Sequence, residues 1–381
     1  MKPVLLWSDI LLFPLLAGVL ALVWAMRNRD WLRDLWRQVM KSRLGASSAL
    51  ILACFLAVGV LDSLHYRERL PTVPGQAPQY AGEVLSALDW VLTPLRTRVE
   101  KTYSAPLATH LYVKESMKGP DGREIRDYPT LKYPGTHLLG TDKVGQDVLY
   151  LSLKSIRTGL LIGTLTTLVL LPFAIALGIS AGYFGGRVDD VIQYLYTTLN
   201  SIPGVLLIAA SILVVQVQIE SHPELFDTAA ARADVRLLAL CAIMGLTGWT
   251  GLARLLRGEA LKLRELEFVQ AAQAFGVRKW RILVRHLLPN VMHLVLITVV
   301  IDFSGLVLAE AVLSYVGVGV DPAMNSFGNM INGARLELAR EPVVWWQLAA
   351  AFVFMFTLVL AANLFADAVR TALDPKAERK A

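Results

Sequence analysis

The side chains of this 381-residue sequence with most chemical potential are carboxylates set among apolar residues. Asp302 and Glu310 both fall inside long hydrophobic runs, where a charge at the bilayer centre costs about 2.5–3.5 kcal/mol or more. Such a group faces a cavity or a partner subunit, or it is held by a hydrogen bond between helices. Asn200 and Asn363 raise the same alternatives with less force. Other site chemistries find no matching pattern. There is no GxxxxGK[ST] loop to hold a nucleotide, no HExxH or GxSxG, and no Cys/His cluster with zinc-ligand spacing, so ATPase, protease, esterase and metalloenzyme readings lack support. His110, His137, His222, His286 and His293 are scattered through loops or loop edges and read as surface or interface histidines. Cys54 and Cys241 sit inside apolar runs, as small buried hydrophobes do.

A different kind of chemistry, docking, is written into EFVQAAQAFGVRKWRILVRHLLPN, Glu267 to Asn290. Phe268, Ala271, Ala272 and Phe275 recur at helical spacing, and alanine lets another surface approach closely. Gly276 stands where a helix ends in the left-handed region. A second helical segment follows, with Trp280, Leu283, Val284 and Leu287 as its apolar stripe and Arg278, Arg281 and Arg285 as its basic one. Pro289 then opens an apolar run, a position that tolerates a missing N–H. Periodicity alone is equally met by a basic helix pair resting on lipid.

The elements that carry these residues belong to a membrane. The chain is 55% hydrophobic and 18% charged, too apolar for a soluble domain that must coat itself in charge. Apolar runs near 8–26, 46–62, 155–181, 190–217, 235–256, 290–316 and 344–367 approach the ~20 residues that cross a bilayer, predicting seven crossings. Pro172 and Pro203 are expected to kink or interrupt their spans. The net charge of +6 fits arginine-rich loops facing the cytoplasm better than nucleic-acid binding.

Those loops are 27–43 and 257–288. With seven crossings they place the N-terminus outside, the C-terminus inside and the long 63–146 loop outside. The first segment reads as a retained anchor, since its arginines follow the apolar run and no small-x-small site is evident. An interfacial helix is the alternative, and Asp9 and Pro14 weaken the span. Beyond it, Trp31, Leu32, Leu35, Trp36 and Val39 form one helical face and Arg29, Arg33, Arg37 and Lys41 the other, as in a helix lying on an anionic leaflet. The loop is rich in proline (Pro71, Pro74, Pro78, Pro94, Pro106, Pro120, Pro129 and Pro134) and is expected to be irregular, with one short helix near EVLSALDWVL.

The spacing Ala271-Ala272, Gly276, His286-Leu287-Leu288-Pro289 resembles the EAA loop of ABC importer permeases, with Gln270 and His286 where Glu and Ile are usual. RHLLPN (Arg285 to Asn290) is similar to the dipeptide/oligopeptide branch. So are HLLGTDKVGQDVL (His137 to Leu149, with Gln146 for the usual Arg), SAGYFGGRVDDVI, SIPGVLLI, LAEAVLSYVGVGVDP, SFGNMI and ALDPK. The matches run in order from 137 to 376, while residues 1–136 depart from the usual six-span plan. The resemblance implies an all-α polytopic membrane protein with about seven transmembrane helices, a six-span core plus one extra N-terminal span. Its expected divisions are 1–45, the extra span and basic interfacial helix; 46–62, the first core span; 63–146, the outer loop; 147–376, the permease domain with its coupling loop 257–288; and 377–381, the tail.

The implied function is that of a permease subunit of an ATP-driven importer of peptides or peptide-like solutes in a prokaryotic inner membrane. Expected partners are a homologous second permease, two ATP-binding subunits that hold the ATP and magnesium, an extracytoplasmic substrate-binding protein, and lipid. Residues expected at the ATPase coupling surface are Glu267, Gln270, Ala271, Ala272, Gly276, Arg278, Arg281 and Arg285; Asp302, Glu310, Asn200 and Asn363 are expected in the pathway or between helices. A self-contained ion-coupled carrier or channel using Asp302 and Glu310, or a receptor working through the 63–146 loop, would leave the ordered matches unexplained.

Overall fold

In lipid every backbone N–H and C=O must be satisfied within the protein, and long apolar runs do so as helices. The computed structural model describes residues 2–28, 30–70, 79–118, 124–226 and 228–373. Strand β1 (Lys2–Val4) leads into α1 (Trp7–Asn28), α2 (Asp30–Lys41) and α3 (Arg43–Asp62). A cap follows, made of β2 (His65–Arg67), β3 (Leu85–Ser86), α4 (Ala87–Val91), α5 (Thr93–Thr97) and the hairpin β4 (Glu115–Lys118) with β5 (Glu124–Asp127). The body comprises α6 (Val148–Phe184), α7 (Gly186–Asn200), α8 (Gly204–Ser221), α9 (Ala229–Gly248), α10 (Thr250–Arg264), α11 (Glu267–Ala274), α12 (Lys279–Ile282), α13 (Leu288–Val316), α14 (Phe327–Ala334) and α15 (Trp346–Leu373).

Among the described residues six helices are long and apolar enough to cross a membrane: α3, α6, α8, α9 with α10, α12 with α13, and α15. The extra N-terminal segment is helical over Trp7–Asn28. The span expected at 190–217 is corrected. Its first half is the separate helix α7, and the crossing is α8, Gly204–Ser221. Pro203 lacks an N–H and excludes Ile202 from helical backbone, so the chain breaks at Ser201–Pro203. Pro172, by contrast, lies inside α6 without ending it. The cap also differs from an irregular loop with one helix: among the described residues it holds two short helices, the antiparallel sheet β1-β2-β3 and the β4-β5 hairpin. Pro71, Pro74, Pro78, Pro120, Arg29 and the 377–381 tail lie outside the described residues, as does most of the ALDPK motif.

Helix α6 is the mast of the molecule. Its 37 residues rise about 55 Å, well beyond a bilayer core of about 30 Å, so its two ends reach different surroundings. Near its C-terminal end α10 packs so closely that a Cβ on Gly178 would stand 2.6 Å from the Ala253 carbonyl oxygen. Glycine at that point lets two backbones touch.

At its N-terminal end Asp147 caps the helix, accepting from the Leu149 and Tyr150 N–H groups at 2.8 and 3.2 Å. The other Asp147 oxygen lies 2.9 Å from His137 Nδ1. His137, expected at a surface or interface, is 2% exposed. Glu100 stands 3.7 Å from its other nitrogen and accepts the Lys132 and Tyr133 N–H groups. The HLLGTD segment is thereby fastened to the mast. Two turns further along, Lys154 Nζ donates to Asp62 at 2.6 Å and Asp89 at 3.0 Å. Burial pushes the Asp89 carboxyl up, but Lys154, the Ser86 N–H and the Tyr150 hydroxyl more than offset this and hold it below the ordinary carboxylate range.

The extra helix α1 is bound to this same end. Pairing of β1 with β2 brings Lys2–Val4 beside His65–Arg67. Asp9 is fully buried but not alone, since Arg157 Nη2 donates to it at 2.8 Å and His65 Nδ1 lies at 2.8 Å. Arg157 also reaches the Ser8 and Ser63 hydroxyls, and Asp234 of α9 receives the Ser8 N–H at 2.9 Å together with the Ser8 hydroxyl. At the other end of α1, α2 presents Arg33, Arg37 and Lys41 outward. Its Val39 is buried, and its Trp36 ring meets Phe365 of α15 edge-on at 6.2 Å. Part of the apolar face expected on lipid therefore lies against protein.

Candidate functional site

The basic loop folds as a helical elbow at the end of the molecule opposite the cap. Helix α11 spans eight residues, Glu267–Ala274, too few to be stable alone in water, so tertiary packing must hold it. Val269 is fully buried and Ala272 is 8% exposed. Both join a core built from Leu170, Ala174, Ile179 and Tyr183 of α6, Leu252, Leu256, Ala260 and Leu263 of α10, and Val291 and Val295 of α13. The Gln273 amide reaches the Tyr183 hydroxyl at 3.5 Å, and the Gln270 amide donates to the Glu265 carbonyl at 3.2 Å.

This burial divides the expected small-residue face. Ala272 points inward, against the core. Glu267, Phe268, Gln270, Ala271, Phe275 and Gly276 are exposed, Phe275 at 87%. Gly276 takes φ +71°, and the Val277 N–H bonds back to the Ala272 carbonyl at 3.0 Å while that of Gly276 bonds to Gln273. That pairing is a Schellman ending, which a Cβ would strain. Nothing lies within 4 Å of where that Cβ would stand, so the surface there is open.

The second arm also departs from its expected stripe. Its buried face is Ile282, Leu283 and Leu287, whereas Trp280 is 74% exposed and Val284 42%. Arg278, Arg281 and Arg285 are all exposed, in line with a basic outer face. Helix continues from α12 into α13 through a π turn at Leu283–Leu287. The Leu288 N–H bonds back to the Leu283 carbonyl, five residues earlier, as a π turn requires. Arg285 and His286 lie in that turn, and the His286 ring is 6.3 Å from that of Phe268.

The polar residues expected within the spans are not brought together. Glu310 is 2% exposed and accepts from the Ser314 hydroxyl at 2.6 Å. It also faces the Ser326 hydroxyl and the Gly328 N–H, clasping α13 to the start of α14. Asn363 accepts from Ser304 at 3.0 Å, joining α15 to α13. Asn200 accepts from Thr250 at 3.0 Å, joining α7 to α10. These three are links between helices. Asp302 alone of the four has no hydrogen bond or ion pair among the described residues, although it is half-buried.

Sequence reading passed over the pair that ties α7 to α10. Arg257 donates to both oxygens of Asp189, one at 2.6 Å. Those bonds hold the Asp189 carboxyl below its ordinary range despite partial burial. It passed over Lys154 and Arg157 as well. A basic residue inside the first turns of an apolar helix was the available signal.

Comparison with known proteins bears on the whole constellation. Residues 174–379 match the family described as "Binding-protein-dependent transport system inner membrane component". The dipeptide transport system permease protein of Lactococcus lactis subsp. cremoris (strain MG1363) is 27% identical over 352 residues, 91% of each chain. The oligopeptide transport system permease protein of Mycobacterium tuberculosis (strain ATCC 25618 / H37Rv) is 32% identical over 246 residues, 64% of this chain and 78% of that one. The MetNI methionine ABC transporter, in an inward-facing form, aligns with a TM-score of 0.45 at 16% identity over 60% of this chain and 98% of the other.

Proposed function

This chain belongs to the family of inner-membrane components of binding-protein-dependent transport systems, and from that premise we propose that it is the permease subunit through which an ATP-driven importer moves short peptides or peptide-like solutes. The observation that carries the reading is the elbow at α11: an exposed face of Phe268, Ala271 and Phe275, backed by Val269 and Ala272 in the core of α6, α10 and α13. A single chain gains nothing from an 87% exposed Phe275, whereas a docked subunit buries it. Arg278, Arg281 and Arg285 flank that face and suit acidic side chains or lipid phosphates.

The mechanism follows from close packing. Two ATP-binding subunits lie beneath the permease pair, one against this elbow, and draw together on binding ATP. Because α11 is packed into the same core as three spanning helices, its displacement moves them as a body instead of bending locally. A homologous second permease completes the pathway, and Asp302, with no hydrogen-bond or ionic partner among the described residues, faces that pathway or that subunit. Arginines at the elbow and on α2 favour a cytoplasmic position for that end. The cap, the N-terminus and the site where a substrate-binding protein delivers cargo are then outside, and the C-terminus is inside. Names of the relatives support peptides as cargo.

Uptake of radiolabelled trialanine by cells provides the test. A strain carrying the chain with its co-encoded subunits accumulates the label, and deleting the chain or inactivating the ATPases abolishes accumulation. Uptake that persists without the ATPases contradicts the proposal.

A further inference from the structure

The cap end holds a cavity that the coupling scheme leaves unused. It measures about 310 Å³ and lies between the C-terminal turns of α8, the N-terminal turns of α9 and the turn beginning at Asp321. Its polar lining is Gln216 and Glu220 from α8, Arg232 and Arg236 from α9, and Asp321. Arg232 and Arg236 are four residues apart and so share one helix face.

Arg236 is the unusual member. It is 7% exposed, yet its Nε has no hydrogen-bond partner among the described residues, and its nearest approach to Asp321 is 3.9 Å, too long for a hydrogen bond. The other Asp321 oxygen accepts the Ala323 N–H at 2.9 Å, and Glu220 accepts the Gln216 amide at 2.8 Å. A buried guanidinium with five donors and so few acceptors carries a desolvation cost that a planar carboxylate relieves through paired hydrogen bonds. The formal charges of Arg232, Arg236, Glu220 and Asp321 cancel, a balance suited to a ligand with both charges and unsuited to a bare anion. The volume equals about ten water molecules, enough for two or three small residues.

We propose that this cavity is a subsite at the outer mouth of the permease for the free C-terminus of a short peptide zwitterion, with the α-carboxylate on Arg236 and the α-ammonium on the Glu220 and Asp321 side. The assignment rests on the peptide reading above and deepens it. It makes this chain, and not the delivering protein alone, sensitive to the charge state of the cargo ends.

The test uses the full chain in phosphatidylcholine nanodiscs, titrated with trialanine and with trialanine C-terminal amide. The wild-type chain should bind the acid about tenfold or more tightly than the amide. Arg236→Gln should remove that preference, and Arg236→Lys should restore part of it. Equal binding of acid and amide by wild type, which needs no variant, overturns the proposal; so does undiminished preference in Arg236→Gln. Discs containing phosphatidylglycerol separate a lipid headgroup from a peptide. Occupation by that lipid with no carboxylate preference also overturns the subsite. Uptake distinguishes the two levels: trialanine imported without the preference leaves the transporter reading intact, whereas no import of any peptide removes both.

Discussion

Glu310 and Asp302 sit eight positions apart on α13 and differ in what surrounds them. Glu310 is enclosed by Ser314, Ser326 and Gly328, and a Cβ at Gly328 would lie 2.8 Å from its Oε1, so the acid and the glycine fit one another. Glu310→Leu should strand the Ser314 hydroxyl and the Gly328 N–H, costing about 1–3 kcal/mol for each, and should lower the thermal midpoint of the purified chain. Asp302→Asn removes no hydrogen bond or ion pair among the described residues and should leave that midpoint unchanged while reducing peptide uptake by the complete transporter. A melted Asp302→Asn chain, or one with full uptake, contradicts its assignment to pathway or partner. Sequence could nominate both carboxylates because charge in an apolar run is rare. It could not separate them, since the Ser326–Gly328 contact comes from a segment beyond the end of α13.

At the scale of elements, the N-terminal helix is held by charge as much as by apolar contact. Asp9, which weakened the case for a span, is matched by Arg157 and His65 across 148 and 56 residues of sequence. Arg157→Leu leaves Asp9 without its guanidinium, and breaking a buried pair in this way costs about 3–5 kcal/mol. The expected result is a lower unfolding midpoint, with α1 exchanging amide hydrogens faster while α6 and α10 stay protected. An α1 as protected as before contradicts the clasp. Helical periodicity made most spans legible, and the bent elbow with its turn at Gly276 was legible from small residues, glycine and proline in order. Pro203 marked the break between α7 and α8, but Ile202 and Val205 continue the hydropathy across it, so 190–217 read as one crossing. The inward turn of Ala272 was hidden for a different reason: alanine on either face of a short helix reads alike until the neighbouring helices are known.

Across the whole molecule, α6 joins the cap to the elbow. At one end Asp147, His137 and Glu100 tie it to the cap, and at the other Tyr183 meets α11. A push at the elbow is therefore delivered to the same rigid element that supports the cap. The elbow was legible because a small-residue helix and a tight turn fall in one short stretch, whereas the proline-rich sequence of the cap offers no such pattern. Phe275→Asp tests this most directly, since an 87% exposed side chain can be changed without disturbing the fold. The chain is co-expressed with its co-encoded subunits and purified from membranes, and the ATPase retained per permease is measured. The account predicts a normal amount of folded permease with most of the ATPase lost; a Phe275→Asp chain that retains the ATPase in full and hydrolyses ATP on peptide delivery as wild type does would contradict it.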